Sequence, residues 1–100
     1  MYRLEFTEQA YTDMRNLSDT IMYTYKMPLT AEKYMRGLRE VINDLKRSPE
    51  SYTIQTRRSL LQYGTNVRRI NYKRMAIIYT THADLVYIHR IVPASMITGL

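Results

Sequence analysis

Val67-Arg68-Arg69-Ile70-Asn71-Tyr72-Lys73-Arg74-Met75-Ala76-Ile77-Ile78-Tyr79-Thr80-Thr81-His82-Ala83-Asp84-Leu85-Val86-Tyr87-Ile88-His89-Arg90-Ile91-Val92 is the stretch that decides the fold. Met75–Thr81 and Leu85–Val92 are rich in β-branched and aromatic residues and flank a polar break, His82-Ala83-Asp84. That is the pattern of a hairpin. A shorter run, Val67–Tyr72, precedes them across Lys73-Arg74. The three runs predict consecutive antiparallel strands, a meander.

Upstream, Tyr2, Leu4 and Phe6 alternate with Arg3, Glu5 and Thr7, as in a half-buried strand. Thr7 is placed to cap a helix, with Glu8 in its first turn facing the positive end of the dipole. Ala10, Met14, Leu17, Ile21 and Tyr25 then recur at helical spacing. This helix should end by Met27, because Pro28 disfavours helical geometry in the residue before it. A second stripe, Ala31, Tyr34, Met35, Leu38, Val41, Ile42 and Leu45, predicts another helix, with Thr30 as its N-cap and its end near Lys46-Arg47, before Pro49. The short connection makes the pair an antiparallel hairpin. Gly37 lowers the propensity of the second helix by about 1 kcal/mol, and close packing on the first helix is the expected reason. Residues 48–66 read as loop, in which 57–64 form either a helical turn or a segment lying across the sheet.

The predicted architecture is therefore α+β: an N-terminal strand, an α-helical hairpin and a three-stranded antiparallel meander, all in one domain spanning residues 1–100. The first strand should pair beside the last strand or at a sheet edge. No run of eighteen apolar residues is present, and the alternation begins at Tyr2, so neither a membrane span nor a secretion signal is expected. A cytoplasmic address fits these features. The absence of cysteine removes disulfides and thiolate metal sites.

Charge is unevenly distributed. Residues 1–56 carry 8 basic and 8 acidic side chains, whereas 57–100 carry Arg57, Arg58, Arg68, Arg69, Lys73, Arg74 and Arg90 against Asp84 alone. The net +6 thus belongs to the sheet half. Such a field attracts polyanions, either nucleic acid or an acidic protein segment; the plainer reading is a solubilising surface. The uncharged tail, with Met96, Ile97 and Leu100, should pack back on the body or await a partner.

No glycine-rich phosphate loop and no metal-ligand spacing occur, and no cofactor is expected. His82 reads as a solvated turn residue, and His89 as a hydrogen-bonded sheet histidine on the side of its strand that carries Tyr87. Strand alternation puts Arg68 and Arg69 on opposite faces, so both cannot serve one site. Were the chain a metal-free ribonuclease, an arginine would stabilise phosphate charge while a base activated the 2′-hydroxyl. Arg68, Arg69, Lys73, Arg74, His89 and Arg90 are the candidates for those roles.

Three stretches resemble the RelE/ParE superfamily of toxins from bacterial toxin–antitoxin modules. They are Tyr2–Ala10, Leu38–Ile42 with Ser48-Pro49-Glu50, and the strands Val67–Ile70, Ile77–Tyr79 and Val86–Ile91. The resemblance implies a toxin of a plasmid-stabilisation type, neutralised by a cognate antitoxin with an acidic segment. RelE-like members cut messenger RNA on the ribosome; ParE-like members inhibit DNA gyrase. Met75-Ala76 stands where ribonuclease members usually carry an arginine, and Pro93–Thr98 lacks their terminal Arg, His or Tyr. The long helical hairpin favours the ParE-like branch, although the basic tail common there is also missing; the alternatives are a RelE-like ribonuclease or an inactive member that only binds nucleic acid or antitoxin. On this reading Arg57, Arg58, Arg68, Arg69, Lys73, Arg74, Arg90, Met96 and Ile97 face the target or the antitoxin.

Overall fold

A computed structural model describes residues 1–97. Strand β1 (Arg3–Phe6) leads into helix α1 (Glu8–Asp19), helix α2 (Pro28–Asp44) and strands β2 (Arg68–Tyr72), β3 (Met75–His82) and β4 (Leu85–Pro93). The sheet order is β1-β4-β3-β2, with β1 parallel to β4 and the other pairs antiparallel. The first strand is therefore both beside the last strand and at an edge.

Thr7 caps α1 as its residue type predicts: its Oγ1 accepts the Ala10 N–H at 3.0 Å. Beyond Asp19 the coil widens into a π-helical turn, Thr20–Thr24. The Met27 N–H then donates to the Ile21 carbonyl, across a left-handed Lys26 (φ 54°), a helix-ending bond of the Schellman type. Helix α2 begins at Pro28, not after Thr30. Proline's fixed φ is already helical, and its missing N–H would have had no partner in the first turn, so the hydroxyl cap is not used.

Met35, Leu38 and Ile42 of α2, with Ala10 of α1 and Leu45, pack on Met75, Ile77, Tyr79, Val86, Ile88 and Ile91 to form the main core. Gly37 departs from expectation. A Cβ there would clash with the Tyr72 hydroxyl, so the close approach is to β2 and not to α1. That hydroxyl donates to the Tyr34 carbonyl at 3.0 Å.

The opposite face of the sheet has a smaller core of Leu60, Val67, Ala76, Ile78 and Ile97. Arg58–Tyr63 is a 3-10 helix that lies on this face, so the two readings of that segment hold together. In the tail, Ile97 is buried while Met96 is exposed; Leu100 lies outside the described residues.

Both hairpin loops are two residues long, Lys73-Arg74 and Ala83-Asp84, because His82 pairs with Leu85 as part of β3. Lys73 (φ 53°) and Ala83 (φ 54°) supply the left-handed residue that a tight hairpin needs. A non-glycine residue bears a cost of about 1 kcal/mol in that conformation.

Candidate functional site

The ladder between β3 and β4 slips at one point. Ile78 pairs with Arg90 but Tyr79 pairs with Ile88, leaving His89 as the extra residue of a bulge. Ile88 and Ile91 both reach the helix-side core as a result, although simple alternation would separate them. The irregularity lies just where β4 loses its outer neighbour, since β1 covers only Leu85–Ile88.

Helix α1 takes over from there. The Thr7 hydroxyl donates to the His89 carbonyl at 2.8 Å. The Asp13 carboxylate accepts the Ile91 N–H at 2.9 Å and two guanidinium N–H groups of Arg90 at 2.7 and 3.0 Å. This edge is covered by side chains in place of a strand, which removes a template for unwanted pairing. Arg90 is held strongly protonated, first by its hydrogen bond to Asp13.

The remaining sheet-half cations do not converge on one point. Arg68 shares a face with Tyr79, and its Nη1 donates to the carbonyls of Glu50 and Tyr52. It thereby pins the loop that also receives the Tyr79 hydroxyl at the Pro49 carbonyl. Burial raises the Tyr79 phenol well above its ordinary range. The Arg68 Nε is buried without a partner among the described residues, although the residue as a whole is only half-buried. Arg69, one residue on, lies on the other face and donates to the Asn71 side chain at 3.0 Å. Lys73 sits over the rings of Tyr34 and Tyr72, 5.4 and 5.7 Å from their centroids. Arg57, Arg58 and Arg74 are exposed.

A separate cluster forms on the face opposite the helices. The buried Thr80 hydroxyl lies 3.0 Å from His82 Nε2 and 2.8 Å from His89 Nε2. A hydroxyl carries one proton, so at least one of the two imidazoles must donate to it. The rings of Tyr87 and Tyr63 lie 4.9 and 5.5 Å from that of His89. Burial, and then the nearby His82, lower the His89 pKa, leaving its ring neutral at neutral pH. His82 is exposed at the end of its strand, as a solvated residue, but it leans on Thr80 rather than standing free in the turn.

Sequence reasoning missed Asp13, Thr80 and Tyr63. Thr80 shares the period-2 face of His82, which is a signal that could have been used. Asp13 carries none, since nothing in the chain announces a bulge at His89. Clefts of about 350 and 150 Å³ flank Arg90, the first lined by Leu17, Met75, Ile91 and Met96, the second by Leu60, Tyr63 and Ile97. Among the described residues, no helix is long and apolar enough to cross a membrane.

Comparison with known proteins agrees with this architecture. A solved structure, "Chromosomal ParDE TA system from P. aeruginosa", superposes with a TM-score of 0.75, covering 93% of this chain and 96% of that one at 17% identity. At that identity the likeness concerns the fold. No curated protein matches the sequence. Residues 4–98 match the family described as "ParE toxin of type II toxin-antitoxin system, parDE". The chain therefore belongs to the ParE toxin family: it is a ParE-like toxin of a type II toxin–antitoxin system, a class of protein that has an antitoxin as partner.

Proposed function

We propose that the protein, with residues 1–100 as its toxin domain, acts in the cytoplasm as an inhibitor of DNA gyrase and not as a ribosome-dependent endoribonuclease. One observation carries this reading: the side chains a ribonuclease would need are dispersed and already engaged. Arg68 serves the carbonyls of Glu50 and Tyr52, Arg90 serves Asp13, and Lys73 lies over two tyrosines beside the helices. Phosphoryl chemistry needs donors preorganised around one developing charge. Inhibition by binding needs only a surface, and Arg57, Arg58, Arg69, Arg74 and Met96 are side chains of the sheet half available for one.

The antitoxin, on this reading, presents an acidic segment to the +6 half, where Coulomb attraction speeds encounter, and buries apolar residues against the tail at the exposed Met96.

A second reading, cleavage of messenger RNA, is favoured by the neighbourhood of Tyr63, Tyr87, His89 and Arg90, which joins titratable groups to a cation. Induction of the protein in cells without its antitoxin separates the two. Gyrase inhibition predicts intact messenger and an early halt of DNA replication. Early cleavage of messenger at defined codon positions, abolished by His89→Ala, would establish the ribonuclease instead.

A further inference from the structure

The chain has two histidines, seven residues apart in sequence, and the hairpin brings the same nitrogen of both rings onto one hydroxyl. We propose that His82 and His89 form a binding site for a divalent transition-metal ion of borderline softness, Cu²⁺ or Zn²⁺.

The two rings converge through the same nitrogen on Thr80. With the two Nε2 atoms 3.0 and 2.8 Å from Thr80 Oγ1, they are less than about 6 Å apart. Two imidazole nitrogens on one metal, with bonds of about 2.0–2.1 Å, stand about 3–4 Å apart. To share one ion, the two rings must turn over Thr80 until their Nε2 atoms stand at that separation. The rings project from adjacent paired strands, His82 at the last pair of the β3–β4 hairpin and His89 at its bulge, so little backbone freedom is lost on binding.

Neutral imidazole is the ligating form, and the His89 ring is half-buried beside those of Tyr63 and Tyr87. In the metal-free bridge at least one ring carries its proton on Nε2. On binding, such a ring moves that proton to Nδ1, so that both Nε2 lone pairs face the ion without net proton release. Among the described residues no group of three or more His, Cys, Asp or Glu gathers. The protein thus supplies two nitrogens, with the Thr80 oxygen behind them, and water completes the shell on the exposed side of His82. Such a donor set ranks Cu²⁺ above Zn²⁺.

The test uses the purified full chain titrated with CuCl₂ at pH 7.5. Tyr63 and Tyr87, two of the chain's ten tyrosines, flank His89, and with no tryptophan present the part of the tyrosine emission they contribute responds to the site. The expected result is saturable quenching at one equivalent, with a paramagnetic resonance spectrum showing coupling to two imidazole nitrogens. His82→Ala and His89→Ala should each weaken binding by about tenfold or more, since even outer partners of metal ligands contribute at that level. Circular dichroism establishes that each variant is folded. Thr80→Val, which keeps both rings, should retain the two-nitrogen spectrum. A wild type with no saturable response, or folded histidine variants that bind as tightly as wild type, would overturn the proposal.

Discussion

The carboxylate of Asp13 grips the guanidinium of Arg90 at 2.7 and 3.0 Å, joining the middle of α1 to the bulged part of β4. The side chains are 13% and 31% exposed, so the pair is only partly screened by water. The same carboxylate also takes the Ile91 N–H. Asp13→Ala therefore leaves a cation and a backbone donor without partners in a poorly hydrated place. The expected loss is about 2–3 kcal/mol, read as a fall in Tm of about 10 °C or more. Asp13→Asn, which can still accept the Ile91 N–H, should lose less. Equal stability of wild type and Asp13→Ala would show that the contact does not hold the helix to the sheet edge.

Gly37 gives a prediction opposite in sign to helix propensity. Replacing a mid-helix glycine by alanine normally adds up to about 1 kcal/mol. Here the new Cβ strikes the Tyr72 hydroxyl, whose bond to the Tyr34 carbonyl must break or shift. Gly37→Ala is expected to destabilise the protein by about 1 kcal/mol. In a Tyr72→Phe background the same change should be less harmful, and possession of the double-mutant cycle by urea titration checks this coupling. Additive effects of the two changes would remove the steric explanation.

His89 sets a pH dependence. Its folded pKa lies below the ordinary value of 6.5, chiefly through burial and then through His82. The native state therefore favours the neutral ring, and the stabilisation is complete above about pH 6.5. It is lost as pH falls from there through the lower, folded pKa. Urea unfolding in chelator-treated buffer at pH 7.5 and pH 5 should show lower stability in acid, with the difference reduced in His89→Gln. An unchanged difference in that variant would assign the acid sensitivity elsewhere.

Much of this fold was legible in the residues. The meander follows from β-branched runs such as Met75–Thr81, and the helical hairpin from two apolar stripes divided by Pro28. Local chemistry also forecast the Thr7 cap. What the residues did not disclose was decided by tertiary contacts. The start of α2 turned on proline at its first position, and the tolerance of Gly37 on Tyr72, thirty-five residues away in sequence. Alternation separated Arg68 from Arg69 correctly, yet could not say that Arg68 would be consumed by loop carbonyls. Nor could it show Arg90 reaching Asp13, because the bulge that sets β4 against α1 has no local signature. The pairing of both histidines on Thr80 likewise depends on cross-strand register.

On the proposed function, this toxin acts by binding gyrase, without a side chain serving as acid or base in RNA cleavage. The most direct measurement incubates purified protein with gyrase, supercoiled plasmid and ATP, then traps and counts covalent gyrase–DNA complexes, using wild type and His89→Ala in parallel. Wild type is expected to inhibit supercoiling and accumulate cleaved complexes, and His89→Ala, once shown to be folded, to do so within a few-fold of wild type. Gyrase turning over unaffected at a large excess of wild-type protein, while the same preparation cuts messenger RNA on ribosomes and His89→Ala does not, would contradict it.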